Sequence, residues 1–248
     1  MIVLKSQDEL QVMGEAGRLV AQTHAVVAAA IKPGITTASL DALAEQYIRD
    51  HSALPSFKGY NGFPATICAS INEVVVHGMP GPRILQEGDI IGLDIGAILD
   101  GFHGDMARTY PVGEISGKAE RLLWVTQKAL EQGVAAAVVG NRLSDIGHAV
   151  QSFVEAQGLS VVRDFVGHGI GRSMHEPPQI PNFGRPGRGP RLKPGMVLAI
   201  EPMVNVGGWE VVVLSDNWTV ITADRSLSAH FEDTVAVTED GPLTLTRA

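Results

Sequence analysis

The dipeptide Asp100-Gly101 lies between two runs of strand-forming sequence, Asp89 to Leu99 and Phe102 to Tyr110. Asp-Gly suits the two positive-φ positions of a type I′ turn, so the two runs predict one antiparallel hairpin. Placing Leu99 opposite Phe102 sets its register: Asp94 faces Ala107, and Gly96 faces Asp105. The two aspartates then share a face as diagonal neighbours, with Cα atoms about 7–8 Å apart. Strand interiors disfavour Asp, and close carboxylates repel unless a positive charge lies between them. Either aspartate alone reads equally as an exposed hairpin residue, and a bulge would undo the register. As a pair, Asp94 and Asp105 point to a metal ion.

The elements around the hairpin repeat. Ser6 followed by Glu9 is a capping-box pattern. Leu10, Met13, Gly17, Val20, His24, Val27 and Ile31 then follow helical spacing until Pro33-Gly34. A second helix is predicted from Thr36 or Thr37 to about Arg49, and a strand from Thr66 to Ile71. After Ser116 a helix runs to about Val139 and stops at Gly140, and another runs from about Asp145 to Ala156 and stops at Gly158. Strands are predicted at Val161 to Val166, Met196 to Val204, Glu210 to Leu214, Trp218 to Thr222 and His230 to Thr238. Each half reads helix, helix, then antiparallel strands. The expectation is one α+β domain over 1–248, with pseudo-repeat halves of about 1–113 and 114–248 and helices backing a curved antiparallel sheet. Gly184 to Pro194, rich in Gly, Pro and Arg, reads as an irregular surface connection.

Two further carboxylates stand in apolar surroundings, Glu201 in MVLAIEPMV and Glu232 in AHFEDTVAVT. Burying an unpaired carboxylate is costly, and four such cases with few basic residues nearby favour metal ligation. His168 in FVGHGIG has glycines on both sides, which let backbone approach a ligand closely. His175 in MHEPP and His77 in VVVHGMP are further candidates. A lone His is more often a hydrogen-bonded core residue, and that alternative stays open for each of the three. His24 and His51 read as structural; His103 and His148 have no partners that the sequence names. Four carboxylates and one imidazole balance two divalent cations, and an oxygen-rich set suits Mn, Fe, Co or Zn better than a thiolate-bound structural zinc. Such a pair activates water and stabilises the oxyanion of a hydrolytic reaction.

Composition excludes several classes. The 248 residues are 45% hydrophobic and 19% charged, ordinary for a globular domain, with a formal net charge of -8. Nothing basic clusters into a patch, so no nucleic-acid partner is expected. Cys68 is the one cysteine, which precludes an intramolecular disulfide. The start MIVLKSQDEL lacks the form of a secretory signal, and no apolar run is long enough to span a membrane. The expected location is the cytoplasm.

The segments NEVVVHGMP, GDIIGLDIGAILDGFHGDMARTY, FVGHGIGRSMHEPPQIPNFG, GMVLAIEPM and WTVITADRSLSAHFEDTVAVT closely resemble those of type I methionine aminopeptidases, over nearly the whole chain. The resemblance implies the pita-bread fold, two pseudo-symmetric halves around a dinuclear centre of Co, Mn, Fe or Zn. It implies that Asp94 chelates one metal, that His168 and Glu201 hold the other, and that Asp105 and Glu232 bridge both. It makes His77, His175 and Glu201 the catalytic set, with Glu201 as general base and both histidines contacting substrate. It assigns a methionine pocket to Tyr60, Phe63, Cys68, Met174 and Trp218. The implied activity is removal of the initiator methionine from nascent polypeptide N-termini when the next residue is small. A monomer working near the ribosome completes that expectation, although no sequence feature marks ribosome contact. This chain departs from the family where it carries His230 in place of Gln, Asp233 in place of His, and Met174 where many relatives have an aromatic residue. Strand alternation puts His230 on the face of Glu232, and Asp233 on the other. Two alternatives remain at this point, an Xaa-Pro aminopeptidase or prolidase of the same fold, and a non-enzymatic binding protein built on it.

Overall fold

Side-chain caps start three of the four helices in this computed structural model, which describes residues 1–247. Helix α1 (Gln7–Ala30) begins where the Ser6 hydroxyl accepts from the Glu9 amide and the Glu9 carboxylate accepts from the Ser6 amide. The Thr36 hydroxyl caps α2 (Thr37–Asp50), and Ser116 caps α3 (Gly117–Ala136). Helix α4 (Leu143–Ala156) starts two residues before the expected Asp145, because the Asp145 carboxylate accepts from the Arg142 amide and so sits in the first turn. Helix α3 stops at Ala136, short of Val139. The Asn141 side chain takes the Ala136 carbonyl and closes the turn early.

The hairpin has the register its turn requires. Strands Ile90–Leu99 and Phe102–Pro111 pair with Leu99 opposite Phe102, Asp94 opposite Ala107 and Gly96 opposite Asp105. Asp100 and Gly101 have φ of 48° and 79°. The hairpin lies inside a nine-stranded antiparallel sheet, with Ile67–Ile71 on its outer side and Glu232–Thr238 on its inner side. Beyond Glu232–Thr238 come Val197–Ile200, Gly167–Gly169 and, at the edge, Glu176–Ile180. Two three-stranded sheets complete the α+β fold.

Each half has its own core. Buried Leu, Ile, Val and Ala residues between positions 19 and 112 join α1 and α2 to the hairpin. A second cluster, mostly from positions 119 to 237, joins α3 and α4 to the other strands. The halves meet where Glu232 pairs with Ala107 and Asp233 with Met106. At Gly104 a Cβ would lie 2.8 Å from the Gly17 nitrogen, so α1 rests directly on the hairpin backbone. No helix is long and apolar enough to cross a membrane, among the described residues.

The second-half strands are more broken than their apolar runs predict. Met196 to Val204 splits into Val197–Ile200 and Met203–Asn205, since Pro202 has no amide for the ladder. Glu201 therefore stands in a break, not in a strand interior. His230 to Thr238 splits at Phe231, whose amide turns to the Pro202 carbonyl at 3.3 Å. The strand expected at Val161 to Val166 is reduced to Ser160–Val161, and Glu210 to Leu214 and Trp218 to Thr222 are trimmed to Val211–Val213 and Val220–Thr222. Five strands lie outside the sequence expectation: Leu54–Pro55, Val74–Val76, Gly167–Gly169, Gly241–Thr244 and Glu176–Ile180. The last contains two prolines, which an edge strand tolerates.

Candidate metal centre and its pocket

Five side chains from separate stretches converge on one face of the large sheet. Asp94 and Asp105 come from the hairpin, and Glu232 stands beside Ala107 in the row that also holds Asp94. His168 pairs with Ala199 and so projects near Glu201, two residues further on. A Cβ at Gly167 would lie 2.3 Å from the Ala199 carbonyl oxygen, so only glycine permits this approach. His168 Nε2 is 3.6 Å from Glu201 Oε1 and 3.9 Å from Asp105 Oδ2. His168 Nδ1 donates to the Gly169 carbonyl at 3.0 Å, which leaves the Nε2 lone pair aimed at the carboxylates.

The cluster is electrostatically incomplete. Asp94 Oδ1, Asp105 Oδ1 and Glu232 Oε1 are buried with no hydrogen-bond partner among the described residues. Burial pushes the Asp94 carboxyl up to about 7 and that of Glu201 up to about 8. Burial, then the charge of Asp94, raises Asp105 well above the usual range; burial, then Asp105, does the same for Glu232. Burial also lowers His168 to about 3, so its imidazole is neutral and cannot offset the carboxylates. Four ionised carboxylates can persist here only around cations. The donor set fits divalent ions, and Asp105, His168 and Glu232 bring their ligand atoms close enough to share one.

A second network stands behind the cluster. The Arg108 guanidinium donates to the carbonyls of Ala107 and Glu232 and pairs with Asp233 Oδ1 at 2.7 Å. Asp233 also accepts from the Thr246 hydroxyl at 2.7 Å, and thus faces away from the carboxylates. His230 points toward them, with Nε2 at 3.5 Å from Glu201 Oε2 and 4.0 Å from Glu232 Oε2.

The five side chains open into a cavity of about 210 Å³. Phe57, Phe63, Cys68 and Met174 form its buried apolar wall, with Tyr60 and Trp218 packed on it. Phe63 and Trp218 meet edge to face at 5.1 Å. Burial and the nearby Asp94 push the Cys68 thiol up, so it is wall and not thiolate. His77 lines the mouth in a positive-φ conformation of 58°, its ring against Phe165 and Trp218. The next residue must be glycine, since a Cβ at Gly78 would lie 2.3 Å from the Ala69 carbonyl oxygen. Burial lowers His77 to about 4. His175 is exposed, its ring 4.2 Å from that of His168 and its Nδ1 2.7 Å from the Tyr60 hydroxyl.

The remaining histidines are engaged elsewhere. His24 bonds to the Met106 carbonyl, His51 to that of Tyr47, His148 to that of Gly184, and His103 to the Ser56 hydroxyl. Phe57 and Asn61 line the cavity but were not anticipated. Phe57 lies in an irregular loop and Asn61 in the single 3-10 turn Tyr60–Gly62, too short for periodicity; the one signal is the pair Gly59 and Gly62, with φ of 88° and 87°.

Residues 11–239 match metallopeptidase family M24. Methionine aminopeptidase 1 of Bacillus subtilis (strain 168) is 57% identical over 247 residues, which cover 100% of each chain. Methionine aminopeptidase of Clostridium acetobutylicum is 56% identical over 247 residues, 99% of each chain. The crystal structure of methionine aminopeptidase from Rickettsia prowazekii superimposes with a TM-score of 0.99 at 44% identity, covering 100% of both chains.

Proposed function

This chain belongs to metallopeptidase family M24 and, within it, to the methionine aminopeptidases, and on that premise we propose how its residues remove an N-terminal methionine. It is a metal-dependent exopeptidase that hydrolyses the first peptide bond, and a preference for a small second residue belongs to the same proposal. We assign Asp94, Asp105, His168, Glu201 and Glu232 as ligands of two divalent ions drawn from Co, Mn, Fe or Zn. When bound, such ions polarise the scissile carbonyl and ease the deprotonation of water.

The protein's own groups do the rest. Glu201, buried and close to the other carboxylates, accepts the proton that the attacking water loses. The Tyr60 hydroxyl lies 2.7 Å from His175 Nδ1; we assign it as the donor, which puts the imidazole proton on Nε2, free to donate to the oxyanion. His77, kept neutral by burial, donates a hydrogen bond to the departing amide nitrogen, which takes its proton from Glu201. Phe63, Cys68, Met174, Tyr60 and Trp218 receive the methionine side chain, whose sulfur gains from the aromatic edges. Phe57 adds to that wall.

The observation that carries this proposal is the meeting of unpartnered carboxylate oxygens with a largely apolar cavity at one place. One catalytic domain of two pseudo-symmetric halves, about 1–113 and 114–248, belongs to the same proposal and is supported by the two separate cores. So does its setting, a cytoplasmic monomer acting on nascent chains near the ribosome.

The test is to strip metal with a chelator, restore Mn, Fe, Co or Zn singly, and measure free methionine released from Met-Gly peptides beside Xaa-Pro peptides. Activity should return only with metal and only on the Met-initiated set. Glu201→Gln and His168→Ala should remain at least about a hundredfold less active when metal is supplied. Undiminished turnover by either variant would remove these residues from the centre.

A further inference from the structure

His230 is 5% exposed, and its Nε2 is buried with no hydrogen-bond partner among the described residues. Its backbone is clamped on both sides: the His230 amide donates to Thr109 Oγ1, and the Thr109 hydroxyl donates to the His230 carbonyl, each at 3.0 Å. These two bonds fix the backbone from which the ring projects toward the carboxylates. Its Nε2 lies 3.5 Å from Glu201 Oε2 and 4.0 Å from Glu232 Oε2. These separations are too long for good hydrogen bonds. They match the edges of a coordination polyhedron, about 3–4 Å for bonds of about 2.1 Å. Glu201 presents its other oxygen, Oε1, to His168 at 3.6 Å. Its carboxylate therefore has an imidazole nitrogen near each oxygen.

We propose that His230 is a further metal ligand, giving one cation a second ligating imidazole through Nε2 alongside Glu201 and Glu232. The inference rests on the metal-centre assignment above and adds to it. Neutral imidazole binds first-row divalent ions strongly. Glutamine, the residue that the family pattern leads one to expect here, has no such nitrogen. The centre of this chain thereby gains nitrogen donors relative to that pattern.

The experiment uses the full-length, chelator-stripped protein carrying 15N-histidine and loaded with Co(II). A histidine bound through Nε2 keeps an exchangeable Nδ1–H whose proton resonance the paramagnetic ion shifts far outside the normal range. Two such resonances are expected, one from His168 and one from His230. His230→Gln should lose one and keep the other, and should bind Co(II) roughly tenfold or more weakly by calorimetry. His77→Ala and His175→Ala should each keep both, which identifies the second signal even if His230→Gln fails to fold. A single resonance in the parent that survives in His230→Gln would overturn the proposal, leaving His230 a mere neighbour of Glu201, while the five-ligand assignment stands. No shifted resonance at all would overturn both.

Discussion

Between pH 6.5 and 7.5 the stability of the metal-free protein should fall behind that of the metal-loaded protein by about 2 kcal/mol. Burial raises Asp94 from 3.8 to about 7 and Glu201 from 4.5 to about 8. Above pH 6.5 the unfolded chain holds no proton on either group. The folded chain holds about 1.4 protons on the two together, averaged over that interval. The folded state thus binds more protons, and stability declines with pH at about 1.4 kcal/mol per unit for each proton. The loss across the interval is roughly 2 kcal/mol from these two groups, with Asp105 and Glu232 adding to it. The depressed histidines work the other way. His24 and His168 lie at about 3 and His77, His103 and His230 at about 4, so below pH 6.5 and on through the interval the unfolded chain holds protons that the folded one does not. Averaged over the interval these amount to about 1.3 protons, a rise in stability that stripped and loaded protein share. The difference between the two slopes, carried by Asp94 and Glu201, corresponds for a chain of this size to about 4–8 °C in Tm. Calorimetric melts of stripped and metal-loaded protein at half-unit pH steps would measure it. In the loaded protein the carboxylates are ionised whether folded or not, so the histidines alone should make stability rise with pH. Equal slopes in stripped and loaded protein would refute the incomplete-cluster argument.

Three substitutions test other parts. Gly167→Ala would press a Cβ to 2.3 Å from the Ala199 oxygen; it should cost about 1–3 kcal/mol in urea unfolding and weaken metal binding. Tyr60→Phe removes the donor that fixes the His175 tautomer; kcat should drop by about one to two orders of magnitude while the unfolding midpoint stays put. Arg108→Ala leaves the Asp233 carboxylate buried without its cation; it should destabilise by about 3 kcal/mol by denaturant titration, with Arg108→Lys closer to the parent.

What the sequence discloses depends on how local the governing chemistry is. The hairpin could be read residue by residue, because Asp100-Gly101 dictates a turn geometry and the turn dictates which side chains share a face. The helix starts were legible for the same reason: Ser6, Thr36 and Ser116 act on amides three residues away. The apolar neighbours of Glu201 suggest a continuous strand; the break comes from Pro202 and the partner strand's turn at Phe231. The facing of His230 and Asp233 followed from simple alternation. Partners such as Ser56 for His103 lie 47 residues away in the chain, beyond the reach of periodicity. Phe57 and Asn61 were invisible because irregular loops carry no repeating pattern, and the rest of the wall was reached only through resemblance to relatives.

Residues 245 and 246 matter more than their position suggests. The Leu245 backbone lies so close to α1 that a Cβ at Gly17 would come within 2.5 Å of its carbonyl oxygen. The Leu245 amide donates to the Thr234 carbonyl at 2.8 Å, next to the Thr246–Asp233 contact. An engineer who trims these two positions, or lets a bulky fusion pull them from their seats, would be editing the reaction centre from behind, since only Asp233 and Arg108 separate Thr246 from the backbone of Glu232.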